Sequence, residues 1–353
     1  MKKKLIGILV CMMLMTTFFT VAKNVEKDTL SSEPNSQATV TFGDTIPVPV
    51  WKVGDYWDYQ INTIVIDLDE EGFSVHISLE TENLSLNVID DTGDSYTVEI
   101  KATINGNGYA YMNFGDGPIN ITGELKDTTL TGNIIFNKSD LGIKHIEATL
   151  DGRIKLTVIE NPYIPMKIPM NIPATIIASA DSSVPYPIID FPLNVSNTWG
   201  LPATNISIDG TIQSIWLNII NWINTKARNH WRIVEIIAGF IDFDPDMLKI
   251  ISDILADILP IIDISYVLTK YVGIEPVFAF PEVPDIFMCN NTENITVGGR
   301  TFFVYNISVG GGIGSMYYAP DAGTIVKISG RFKDIIPFIN DINAELIETN
   351  YQP

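Results

Sequence analysis

The chain of 353 residues is 46% hydrophobic and 18% charged, too apolar for a disordered protein and long enough to bury a sizeable core. Its 22 Lys and Arg against 42 Asp and Glu leave a net charge of −20. Neutralising phosphate needs clustered cations, so no nucleic-acid partner is expected.

The chain opens with Lys2, Lys3 and Lys4, then an apolar stretch from Leu5 to Phe19, then Thr20-Val21-Ala22 with a small residue at a cleavage position. Residues 1–22 therefore read as a signal peptide, which predicts export to the cell envelope or beyond. An uncleaved anchor is the alternative, since Leu5 to Ala22 is 18 uncharged residues, at the border of spanning length. Lipidation of Cys11 is not expected, because Val10 stands where a small residue is needed. Cleavage removes three Lys and no carboxylate, moves the net charge from −20 to −23, and leaves Cys289 as the one thiol. With no partner for an intrachain disulfide and no His nearby in sequence, Cys289 reads as a passive residue. Eight Asn-x-Ser/Thr triplets, starting at Asn83, Asn120, Asn137, Asn194, Asn205, Asn290, Asn294 and Asn306, are compatible with a glycosylated exported protein.

Residues 23–45 are polar and read as a flexible linker, and residues 46–353 as a single β-rich domain. From Trp51 to about Glu160 apolar residues alternate, as in Phe73-Ser74-Val75-His76-Ile77-Ser78-Leu79 and Tyr96-Thr97-Val98-Glu99-Ile100. Turns are expected at Asp69-Glu70-Glu71-Gly72, Asp90-Asp91-Thr92-Gly93, Asn105-Gly106-Asn107-Gly108 and Asp151-Gly152, which makes this region an antiparallel meander. Residues 161–202 place proline at nearly every fourth position from Pro165 to Pro173, which predicts an extended edge or a strap over the surface. Residues 211–272 switch to helical period. Ile212, Ile215, Trp216, Ile219, Trp222 and Ile223 share one face, and two further stripes follow from Ile233 and from Met247. Asp244-Pro245 reads as a helix start. Strands return at Phe302–Val309, Met316–Tyr318, Thr324–Ile328 and Ala344–Glu348.

Short motifs yield to structural readings. Asp91-Thr92-Gly93 matches an aspartic-protease triplet, but no second copy exists to share a proton, and a turn accounts for it. Asp242-Phe243-Asp244-Pro245-Asp246 resembles the start of a calcium loop, but Met247 and Asp253 stand where Gly and Glu are required. The glycines at 310, 311, 312 and 314 lack the Lys-Ser/Thr of a phosphate loop and read as a bulge or loose hairpin. His76, His145 and His230 lack metal-ligand spacing. No catalytic constellation, cofactor or metal is expected.

Three stretches carry a family resemblance: Val53-Gly54-Asp55-Tyr56-Trp57-Asp58-Tyr59; Phe191-Pro192-Leu193-Asn194-Val195 with Trp199; and Ile295 to Phe302 followed by Tyr317 to Lys327. They resemble exported prokaryotic β-rich proteins, some of them similar to the lipoprotein-carrier (LolA/LppX-like) half-barrels. The resemblance implies a curved antiparallel sheet and a helical lid around an acyl chain. It covers roughly a fifth of the chain, and turn residues dominate its motifs. The helical block and proline strap depart from the compact carriers.

The expected fold is α+β: a strongly curved antiparallel sheet, half-barrel or open barrel, with a helical insertion packed on one face. The expected function is a non-enzymatic surface protein binding an apolar ligand, most simply lipid, between sheet and lid. Trp216, Ile219, Trp222 and Ile223 would line that site, with Met166 and Met170 at its rim. The competing expectation is a structural or adhesive envelope glycoprotein without a small-molecule ligand. The 211–272 block is not basic as a whole, which argues against simple adsorption on anionic lipid.

Overall fold

The computed structural model describes residues 45–70, 73–113, 118–160, 168–233, 249, 252–253, 256–257, 261–267, 269–270, 276–332 and 339–353. The expected signal peptide, the linker up to residue 44 and the calcium-like stretch lie outside them, as do most of the second and third helical stripes.

The protein is mostly β-sheet. Six long strands come first: β1 (Tyr56–Glu70), β2 (Phe73–Thr92), β3 (Ser95–Asn113), β4 (Pro118–Asn137), β5 (Ile143–Glu160) and β6 (Ile168–Tyr186). Then come β7 (Thr198–Leu201), β8 (Thr204–Gln213), a helix α1 (Ile215–Asn229), β9 (Ile261–Asp263) and a single helical turn α2 (Ile264–Val267). The chain ends with β10 (Val277–Phe280), β11 (Val283–Val297), β12 (Arg300–Val309), β13 (Gly314–Ala319), β14 (Thr324–Arg331) and β15 (Ile339–Thr349). No described helix is long and apolar enough to cross a membrane.

The strands pair antiparallel in the order β10-β8-β6-β5-β4-β3-β2-β1-β15-β14-β13-β12-β11-β7, with β9 alongside β8. The two ends of this path are the same ladder. Val277 faces Ser207 and Phe280 faces Thr204 between β10 and β8, while Val283 faces Leu201 between β11 and β7. Each step back along β8 and β7 matches one step forward along β10 and β11, so the register runs unbroken through the gap. Pro202 and Pro281, which have no N–H to donate, fall in that gap. With β7–β8 and β10–β11 each taken as one interrupted strand and β9 set aside, twelve strands close into a ring. The sheet curves as expected from the sequence, but its pairing runs past a half-barrel to closure, which removes the exposed edges.

Alternation sets the two faces. On β1, Trp57, Tyr59, Ile61, Ile64 and Ile66 are buried, and a register shift between Ile61 and Thr63 keeps the apolar set inward. Outside stand Lys101, Asp151, Arg153 and Lys155, all exposed, with Glu99 half-buried beside them. An apolar inside with a polar outside is the reverse of a lipid-facing barrel wall.

Two expected turns are strand interiors instead. Asn105-Gly106-Asn107-Gly108 lies within β3 and Asp151-Gly152 within β5. Both glycines make room for a neighbour: a Cβ on Gly106 would stand 2.5 Å from Leu79 Cδ2, and one on Gly152 2.6 Å from Thr128 Oγ1. Of the two readings of the proline-rich stretch, an extended edge or a strap, residues 168–186 take the first: they form β6, which is an edge as far as Ala174. Pro169 and Pro173 are tolerated because they precede Thr175, where the β6–β8 ladder begins, so β6 has only β5 beside it there.

Candidate functional site

An up-and-down ring has two ends. At one lie the β2–β3, β4–β5, β6–β7, β11–β12 and β13–β14 connections and the segment before β1. Aromatic side chains fill it. Trp51 packs against Trp57, Tyr96 and Phe136 with ring centroids 5.0, 5.4 and 5.2 Å apart. The buried indole N–H groups of Trp51 and Trp57 donate to the carbonyls of Gly323 at 3.0 Å and Ala322 at 2.7 Å. Leu193 is fully buried, tied to the sheet margin by a bridge between Ile46 and itself, and Phe191 packs edge-on against Tyr318. The Asp91-Thr92-Gly93 turn is at this end, with Thr92 Oγ1 donating to Asp90 and Asp91 paired with Lys138. It is a turn in the structure, as expected.

The opposite end carries the β1–β2, β3–β4, β5–β6, β12–β13 and β14–β15 connections and the helical insertion between β8 and β10. Here the inner wall forms rows across neighbouring strands. Leu130 faces Leu150, Leu150 faces Ile176 and Ile176 faces Ile212, so one row crosses β4, β5, β6 and β8. A second row runs Leu125, Ile154, Ile172 across β4, β5 and β6. Four strands span roughly 14 Å at ordinary spacing. Leu130 and Ile176 are buried, but Leu125, Leu150, Ile154, Ile172 and Ile212 are only half-buried although they alternate with exposed Asp151, Arg153 and Lys155 on the outer face. An inward apolar wall with incomplete cover thus marks this end of the ring. Periodicity marked each strand as half-apolar, yet the row exists only through cross-strand register.

The insertion is fastened to this end at both of its roots. Ser214 Oγ donates to the Pro173 carbonyl, and Ser265 Oγ to Asp209 Oδ1 at 2.8 Å. Of the residues expected at a ligand, Ile219, Trp222 and Ile223 lie on α1 and are exposed, Trp222 by 63% of its surface. The face of α1 turned into the protein instead carries Asn224. Its side chain is buried, donating to the Ser252 carbonyl at 2.8 Å and accepting from Ser252 Oγ at 2.6 Å. The backbone of Trp216 is in the first turn of α1 and that of Met170, on β6, pairs with Leu156 of β5; both side chains, and Met166 entirely, lie outside the described residues.

The remaining chemistry-bearing groups are dispersed. His76 Nδ1 meets Asp67 Oδ1 at 2.5 Å and stacks on Tyr109, and His145 Nδ1 meets Asp181 Oδ1 at 2.7 Å. Cys289 is fully buried in β11, and burial pushes its thiol up to about 11. Among the described residues no group of three His, Cys, Asp or Glu could hold a metal ion. No family model, curated protein or solved structure matches the chain.

Proposed function

We propose that the protein is exported and holds an apolar ligand, a lipid acyl chain, inside the helical end of the ring, with the insertion as its cover. The observation that supports this reading is the half-buried inner row Leu125, Leu150, Ile154, Ile172 and Ile212. Burying acyl surface there needs no base or nucleophile: about 0.8 kcal/mol per methylene gives about 8 kcal/mol for ten methylenes before the cost of association. The ligand-lining role anticipated for the helix passes to the barrel wall, because Ile219, Trp222 and Ile223 face outward. Ser214 and Ser265 anchor both roots of the insertion beside that wall, the position a cover requires. The carrier half-barrels that the sequence resembles suggest the same class of cargo.

Native mass spectrometry of the protein purified from a lipid-containing host, followed by solvent extraction, tests the reading. Stoichiometric extra mass that extracts as lipid is the expected result. A clean apo mass, unchanged after incubation with lipid, would overturn it. A structural or adhesive envelope glycoprotein would then be the working answer, favoured by the exposed Asn83, Asn205, Asn290 and Asn294, each at the head of an Asn-x-Ser/Thr triplet.

A further inference from the structure

The helix α1 is turned opposite to the usual sense. Ile215, Ile219, Trp222 and Ile223 fall at positions i, i+4, i+7 and i+8, one face of a helix, and are 62%, 40%, 63% and 53% exposed. The buried pair of Asn224 and Ser252 shows which side faces the protein. An exposed Trp and three Ile along two turns form a contiguous apolar stripe in water, which calls for an occupant.

Charge points to which one. From Gly210 to Val234 the chain has no Asp or Glu, although the whole carries 42, and it has Lys226, Arg228 and Arg232. Lys226 lies over the Trp222 ring at 6.0 Å, at the edge of the stripe, and Arg232 is exposed just beyond the helix. Arg228 is engaged by Asp253 at 3.4 Å, so Lys226 and Arg232 are the cations set beside the apolar face. Taken over residues 211–272 the block is not basic. Cut to the helix the structure defines, it is cationic.

We propose that α1 is a membrane-docking helix that lies in the interface of an anionic lipid bilayer, with Ile215, Ile219, Trp222 and Ile223 inserted at the headgroup boundary and Lys226 and Arg232 at lipid phosphates. A second copy of this acidic chain could meet the cations, but its outer wall is polar and it would have to bring an apolar stripe of its own, whereas a lipid interface supplies apolar and anionic groups together. Docking by α1 sets the apolar-walled end of the ring against the bilayer. The inference stands apart from the ligand reading: docking without retained lipid, or retained lipid without docking, is separately measurable.

The test is co-sedimentation of the full chain with vesicles of equimolar phosphatidylcholine and phosphatidylglycerol, and with pure phosphatidylcholine. Wild type and variants share the N-terminal apolar segment, so their difference reports α1. Trp222→Ser with Ile219→Ser is expected to weaken partitioning to the mixed vesicles at least tenfold. Lys226→Glu with Arg232→Glu is expected to abolish the preference for the anionic vesicles. All four positions are exposed, so an unchanged thermal midpoint verifies folding. Equal partitioning of wild type and the Trp222→Ser, Ile219→Ser variant would overturn the proposal. So would a dimer in analytical ultracentrifugation that this variant dissociates, since the stripe would then belong to a second copy.

Discussion

At the residue scale, stability is concentrated where large side chains also satisfy buried carbonyls. Trp57 is 2% exposed and its N–H serves the carbonyl of Ala322, in the tight turn Pro320–Ala322 closed by Gly323 at φ 61°. Trp57→Phe keeps most of the apolar volume but orphans that acceptor, and is expected to cost about 1–3 kcal/mol in urea unfolding. Buried titratable groups give the fold an alkaline limit. Cys289 is pushed up to about 11 and Tyr186 to about 12, while Tyr59 and Tyr318 are driven above the usual phenol range, in each case first by burial. A raised folded-state pKa stabilises fully below the unfolded value and is lost as pH rises through the folded one. For the thiol that window opens near ~8.5 in the unfolded chain. Stability is therefore expected to fall steadily above that pH and to be flat below it as far as these groups are concerned, as read by urea midpoints at stepped pH. Cys289 is expected to resist a thiol reagent at pH 8 until denaturant is added, because it is both buried and protonated.

At the scale of elements, the ring depends on one of its short strands. β7 is four residues long and carries Gly200, where an added Cβ would stand 2.1 Å from the Val283 carbonyl oxygen and 2.8 Å from Pro284 Cα. Those are backbone atoms of the facing strand and cannot move aside without parting the ladder. Gly200→Val is expected to raise amide exchange selectively in β7 and in the part of β11 that pairs with it, before β2–β5 respond. Uniform protection across the sheet would show that closure does not depend on this contact. The long hairpins use the same device, since a Cβ on Gly132 of β4 would stand 2.1 Å from the Glu147 carbonyl oxygen of β5. Their strands are joined by short turns, and Gly93 with φ 57° supplies the backbone conformation that the β2–β3 turn demands.

For the whole molecule, one end is filled by Trp51, Trp57, Tyr96, Phe136 and Leu193, and the other presents a half-covered apolar wall beside a helix with an apolar outer stripe. That polarity makes the two proposals separable by mutation. Ile154→Asn with Ile172→Asn places polar groups on the inner row and leaves α1 untouched. It is expected to reduce co-purified lipid at least tenfold while vesicle co-sedimentation is retained. The α1 variants are expected to give the converse pattern. Loss of both properties in both variants, at unchanged thermal midpoint, would show that cargo and docking are one site.

How much of this is legible in the sequence follows from the range of the interactions concerned. Alternation over Phe73–Leu79 and Tyr96–Ile100, turn residues at Asp90–Gly93, and the change to helical period after Thr211 are local properties. They mark the meander, the helical character of α1 and the closing hairpins without knowledge of partners, though Ile212, expected on the helix face, belongs to β8 and faces Ile176. Asn105–Gly108 and Asp151–Gly152 mislead because a glycine that ends a strand and a glycine that admits Leu79 or Thr128 from a neighbour look alike along the chain. Ring closure was not legible, since it rests on β7–β8 meeting β10–β11 across the whole helical insertion, with prolines in the gap that locally argue against pairing. Nor was the direction of α1. Period 3.6 places Ile215, Ile219, Trp222 and Ile223 on one face but is silent on whether that face turns in or out. The buried hydrogen bonds between Asn224 and Ser252 orient the helix, and they join residues 28 apart. The chain's composition and periodicity thus specify which surfaces are apolar, because each residue carries its own hydration cost wherever it goes. Which of those surfaces cover one another, and which are left uncovered, is settled by long-range pairing, and that is a property of the assembled fold.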